Sequence, residues 1–220
     1  MTAEPPMNAD HCGFAAPVSS LPVDACDRSD ARDAGGVLWL TGLSGAGKST
    51  LADALADLLR RRGLQAKVLD GDRLRAGLNR DLGFSERDRF ENVRRIAEVA
   101  SLFADAGFIA IVAAIAPRAA MRDDARRIVG AGFREVHVAA SLEVCEARDP
   151  KGLYRKARRG ELREFTGVSS PYEAPRAADL VLETGSRSLA DCLSALLDLA
   201  LRQFGRIGDP QPIVRETETG

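Results

Sequence analysis

Gly42-Leu43-Ser44-Gly45-Ala46-Gly47-Lys48-Ser49 fits G-x-x-x-x-G-K-[ST], the pattern of a phosphate-binding loop. Just before it, Val37-Leu38-Trp39-Leu40-Thr41 is short, apolar and β-prone, as a buried strand is. Just after it, Leu51, Leu55, Leu58 and Leu59 recur at helical spacing. The motif therefore lies between a strand end and a helix start. There, glycines let the backbone curl with its N–H groups inward, and the helix N-terminus adds partial positive charge. The result is a cradle for a polyphosphate. Lys48 is placed to reach the β- and γ-phosphates and the Ser49 hydroxyl to ligate a phosphate-bound Mg²⁺, so Gly42, Leu43, Ser44, Gly45, Ala46, Gly47, Lys48, Ser49 and Thr50 form the expected nucleotide-binding set. A glycine-rich turn that binds nothing is the weaker reading.

The rest of the composition narrows the class. A chain of 220 residues is enough for one α/β domain with a full core, and a net charge of −1 gives no general pull toward nucleic acid or an anionic membrane. No apolar run approaches the roughly 18 residues of a membrane span. Cys12, Cys26, Cys145 and Cys192 show no paired C-x-x-C spacing, so a reducing cytoplasm fits better than a zinc site or a disulfide framework. His11 and His137 lack metal-like spacing and read as surface or packing residues. None of the asparagines, Asn8, Asn79 and Asn92, opens the N-K-x-D guanine motif of a signalling GTPase.

Residues 1–35 carry scattered prolines and acids without periodicity, lack the features of a signal or transit peptide, and read as a disordered arm. Residues 36–207 read as the folded domain and 208–220 as a loose tail. After a helix stop at Gly63, Ala66 to Asp70 is the second expected strand, ending in Asp70-Gly71-Asp72 at the carboxyl edge where α/β sheets bind ligands. Asp72 suits Mg²⁺ binding or proton acceptance from an attacking hydroxyl; an ordinary turn or N-cap aspartate fits the spacing equally well. Ser85 and Asp88 form an S-x-x-[DE] helix start, with Val93, Ile96, Ala100 and Phe103 on the buried stripe and Arg89 and Asn92 together near its beginning. Phe108 to Ala116 reads as a central strand with no terminal aspartate, which moves the acidic role back to Asp70-Gly71-Asp72. A helix over Ala119 to Val129, a strand over Arg134 to Ala139, a short strand over Asp179 to Leu182 and a helix from Leu189 to Ala200 follow. Residues 148–175 show basic side chains and little apolar periodicity, as a lid over a phosphoryl-transfer site does. Together these predict a P-loop NTPase-type three-layer α/β/α fold with a mostly parallel five-stranded sheet and a lid.

Longer signatures go further. The runs Leu69 to Arg75, Leu78 to Ser85 and Asp88 to Arg95 resemble adenylylsulfate kinase, as do Arg148 to Tyr154, Phe165-Thr166-Gly167 and Ser170 to Pro175. The resemblance covers roughly Gly36 to Thr184. It implies transfer of the γ-phosphoryl of MgATP to the 3′-hydroxyl of adenosine 5′-phosphosulfate. It further implies that Phe84 and Phe165 stack on the acceptor adenine and that Arg75, Arg89 and Asn92 hold the phosphosulfate end. The backbone near Ile115, with Gly152 and Leu153, would meet the same acceptor, and Arg148 would join the ATP set. Asp72 would serve Mg²⁺ and the 3′-hydroxyl, and Lys151 would neutralise transition-state charge beside Lys48. A homodimer, with ATP sulfurylase as functional partner, is carried over in the same way.

One segment departs from the family pattern. Where a serine, a proline and an aromatic are usual, this chain reads Ala116-Pro117-Arg118, so a phosphoserine route is impossible and Arg118 is expected to alter the acceptor-side wall. That departure leaves open a P-loop kinase for a related nucleotide or small anion. A non-catalytic nucleotide-binding subunit is the other alternative, although Lys48, Ser49 and Asp72 are all present.

Overall fold

The computed structural model describes residues 35–205. The arm, its Cys12, Cys26 and His11, and the C-terminal tail lie outside the described residues. The elements run β1 (Gly36–Thr41), α1 (Lys48–Arg61), β2 (Ala66–Asp70), α2 (Gly71–Ala76), α3 (Glu86–Asp105), β3 (Ile109–Ala113), α4 (Ala119–Val129), β4 (Phe133–Ala139), α5 (Leu142–Arg148), α6 (Leu153–Arg158), β5 (Leu180–Glu183) and α7 (Leu189–Phe204), with a 3₁₀ turn over Gly130–Gly132. The five strands form one parallel sheet in the order β2-β3-β1-β4-β5.

Alternation along the central strands builds two cores. Leu38 and Leu40 of β1, with Ile109 and Ile111 of β3, face Leu51, Leu55 and Leu59 of α1 and Leu196 and Ala200 of α7. Val37 and Trp39, with Ala110 and Val112, face Val93, Ile96 and Ala100 of α3 and Met121 of α4. Strand side chains alternate between faces, so a strand buried on both must be apolar throughout. β1 and β3 are. The predicted three layers follow.

Three helices were not expected, α2, α5 and, inside the 148–175 segment, α6. Asp70-Gly71-Asp72 is not a turn: Asp70 caps α2, its carboxylate accepting from the amides of Asp72 at 3.0 Å and Arg73 at 3.2 Å. α5 is capped by Ser141, whose hydroxyl accepts from Val144 N at 3.3 Å. The central strand is shorter than Phe108 to Ala116, because Ala116 adopts a left-handed φ of 42° ahead of Pro117 and turns the chain out of the sheet. Ser85 caps α3 as expected, but Asp88 bonds Gly83 N at 3.1 Å instead of closing the box on Ser85.

Candidate active site

A cavity of about 1190 Å³ opens at the carboxyl ends of β1, β2 and β3. Its phosphate-loop wall is Ser44 to Leu51. Gly47 caps α1 at φ 104° without a side-chain bond, leaving first-turn N–H groups for a ligand. Gly45 (φ 77°) must be glycine, since a Cβ there would stand 2.9 Å from the Cys145 carbonyl oxygen. Gly42 and Leu43 do not line the cavity. Their carbonyls accept from Lys48 Nζ at 2.9 and 2.8 Å and so hold the lysine across the loop. Burial pushes the Lys48 ammonium down to about 8, against the pull of Asp72.

The acidic corner lies at the end of β2. Ser49 Oγ donates to Asp70 Oδ2 at 2.6 Å. Burial alone would raise the Asp70 carboxyl, but the bonds from Ser49 and from the Arg73 and Asp72 amides outweigh it and hold it below the usual range. Asp72 instead pairs with Lys151 from the 148–175 segment. The hydroxyl and the two carboxylates are hard oxygen donors of the kind Mg²⁺ takes. Among the described residues no three His, Cys, Asp or Glu side chains converge as a metal site.

The opposite wall is made of side chains. Arg75, Phe84, Arg89, Asn92, Ile115, Leu153 and Phe165 all line the same cavity. The Arg75 guanidinium covers one face of the Phe84 ring at 4.7 Å, leaving a largely exposed aromatic beside it. Arg89 donates to the Phe84 carbonyl at 2.8 Å, to Thr166 Oγ1 at 2.8 Å and to the Glu164 carbonyl. One guanidinium thus ties the Phe84 loop, α3 and residues 164–166 together, with Glu164 in a left-handed φ of 55°. Burial, then the charge of Arg89, lowers the Arg75 pKa; burial chiefly lowers that of Arg89. Two crowded cations of this kind are well disposed toward an anion.

Gly152 does not reach the cavity; it caps α6 at φ 65°. Arg118, expected on the acceptor wall, is also absent from it. Its guanidinium is held by Glu173 at 3.0 Å and Glu86 at 3.5 Å, while Glu173 also accepts from Ala119 N at 2.8 Å and so caps α4. Ion pairing to two carboxylates turns it away from the wall. Ala116 and Pro117 do line the cavity.

Arg148 joins the phosphate-loop side as the resemblance implies, whereas Tyr154 and Thr184 were not singled out from sequence. Tyr154 donates to the Ser44 carbonyl at 2.9 Å and stacks edge-on against Phe165, joining α6 to the phosphate loop. Arg148 donates to the Thr184 carbonyl at 2.6 Å and the Gly45 carbonyl at 3.4 Å, and Thr184 Oγ1 donates to the Ala46 carbonyl at 2.8 Å. Thr184 follows β5 directly, and the rule that ligands collect beyond strand carboxyl ends would have found it. Nothing local marks Tyr154. His137, read as a surface or packing residue, stacks on Tyr172 at 6.0 Å.

A family model described as adenylylsulphate kinase matches residues 34–183. The chain belongs to the adenylylsulphate kinase family. An adenylyl-sulfate kinase of Paraburkholderia xenovorans is 59% identical over 163 residues, covering 74% of this chain and 91% of the relative. One of Shewanella amazonensis is 58% identical over 165 residues, covering 74% and 83%. The solved Mycobacterium tuberculosis APS kinase in complex with AMPPNP and APS is 49% identical with a TM-score of 0.73, covering 75% of this chain and 96% of that one.

Proposed function

We propose that this chain is an adenylylsulfate kinase that transfers the γ-phosphoryl of MgATP to the 3′-hydroxyl of adenosine 5′-phosphosulfate. The observation that carries the reading is the single cavity with a backbone phosphate cradle on one wall and Phe84, Phe165, Arg75, Arg89 and Asn92 on the other. Gly45 to Thr50 bind the donor polyphosphate, and Arg148 braces the loop from the adenine side. Lys48, already desolvated, stabilises charge developing on the β- and γ-phosphates. Ser49 and Asp72 would hold Mg²⁺, with Asp70 anchoring the Ser49 hydroxyl beside them, and the ion would supply charge neutralisation at the phosphates.

Phe84 and Phe165 stack on the acceptor base while Arg75 and Arg89 meet the phosphosulfate. Asp72 orients the 3′-hydroxyl and takes up its proton, and Lys151, paired with Asp72 in the free protein, moves to the transferring phosphoryl group. Residues 148–175 act as the lid, tied to the acceptor wall through Arg89 and to the phosphate loop through Tyr154. The test is ADP release from MgATP with adenosine 5′-phosphosulfate, adenosine 5′-monophosphate or no acceptor. Turnover with the phosphosulfate alone is expected. Equal turnover in all three, or none with the phosphosulfate in a protein that binds ATP, overturns the reading.

A further inference from the structure

Asn92 sits near the start of α3, nearly buried yet on the acceptor wall of the cavity. Its Oδ1 accepts a hydrogen bond of 3.0 Å from Asn79 Nδ2, and that bond is closed to solvent. Asn79 is fully buried, and its own Oδ1 has no partner among the described residues. A buried amide oxygen without a partner is unfavourable, and an apolar side chain of the same size would avoid it. Packing alone does not explain the residue.

Its backbone is equally placed. Asn79 N donates to the Leu74 carbonyl at 2.9 Å and its carbonyl accepts from Leu82 N at 3.1 Å, so the residue is the centre of the turn between α2 and Phe84. From there its side chain reaches α3. A primary amide has one oxygen and one NH₂; when the oxygen is engaged from behind, only the NH₂ is left to face forward. The forward side of Asn92 is the cavity.

We propose that Asn79 is a positioning residue that clamps the Asn92 amide with Nδ2 facing the cavity, as a hydrogen-bond donor to a lone pair of the acceptor nucleotide. The inference rests on the assignment of that wall to the acceptor. It also supplies a source of selectivity: a buried donor rejects a ligand with nothing to accept its proton more strongly than an apolar wall rejects a poor fit. The opposite arrangement, with both amides turned over, would orphan Asn79 Nδ2 and offer an acceptor oxygen to the ligand instead.

Two measurements on the full chain test this. With three asparagines in the sequence, selective ¹⁵N-asparagine labelling gives three side-chain NH₂ pairs. Adding adenosine 5′-phosphosulfate to the ADP-bound protein should shift the Asn92 pair. In Asn79→Leu the acceptor KM should rise about tenfold, while kcat and the ATP KM stay within twofold. An Asn92 pair unmoved by saturating acceptor, in wild-type protein that still turns over the phosphosulfate, overturns the clamp and leaves the kinase reading standing. A parallel rise in both KM values would show a general structural role and equally overturn it. An unmoved Asn92 pair in the wild-type spectrum overturns the proposal even if Asn79→Leu fails to fold.

Discussion

The two walls of the cavity are built by different means. The phosphate wall is backbone: a loop between the fully buried β1 and a helix whose Leu51, Leu55 and Leu59 are fully buried. Its donors are fixed by the sheet and need no side chain but Lys48 and Ser49. The acceptor wall is side chains gathered from α2, the Phe84 loop, α3, the end of β3 and residues 161–166, and Phe84 is 65% exposed. It is held by bonds from side chains, Arg89 alone donating to two backbone carbonyls and to the Thr166 hydroxyl. Backbone recognition is rigid and compact in sequence, whereas side-chain recognition is adjustable and scattered.

If that division is right, damage to each wall should stay on its own side. The largest effect belongs to Lys48→Ala, which removes charge stabilisation at the transferring group. We expect kcat to fall by roughly 10²–10³-fold or more, with the acceptor KM little changed and thermal stability intact, because a buried ammonium is lost. A variant with normal turnover would remove the phosphate wall from the mechanism. Phe84→Ala comes next. Stacking on a base contributes about 1–3 kcal/mol, so acceptor affinity should drop about tenfold while ATP affinity holds. Equal losses for the two ligands in calorimetric titrations would erase the division.

A pH effect should be smaller and confined to the donor side. The Lys48 ammonium titrates near 8 in the free protein, so rising pH leaves more of it neutral. A bound polyphosphate favours the charged form, hence ATP affinity should weaken as pH climbs through 8 and binding at pH 8 should take up about half a proton. Calorimetry in buffers of different ionisation enthalpy reads that uptake directly; binding with no proton exchange would contradict the desolvated lysine. The smallest effect is expected for Arg118→Ala. Its partners Glu86 and Glu173 are surface carboxylates outside the cavity, and such pairs contribute about 0–1 kcal/mol. The acceptor KM should change less than twofold, and a tenfold change would return Arg118 to the wall.

The same division explains what could be read in advance. β1, the loop and α1 were legible because eight consecutive residues specify the loop and the apolar runs beside it specify strand and helix. The alternation of sheet and helices followed from periodicity. The coupling of Asp70 to Ser49 did not, since it depends on two strands lying two places apart in the sheet with β3 between them. The Asp72–Lys151 pair and the ties made by Arg89 and Tyr154 join residues far apart in the chain, with no local signature. Arg118 was misplaced for a related reason: its direction is set by Glu173, 55 residues away. Gly152 was carried into the site by its neighbours, but its backbone serves α6.

The most direct test of phosphoryl transfer between these two walls is the position of the new phosphate. Phosphorus NMR of the reaction with MgATP and adenosine 5′-phosphosulfate should show one new phosphomonoester resonance coupled to the ribose H3′, with the phosphosulfate resonance intact. ADP accumulating with inorganic phosphate alone, or phosphate attached elsewhere on the acceptor, would contradict the account.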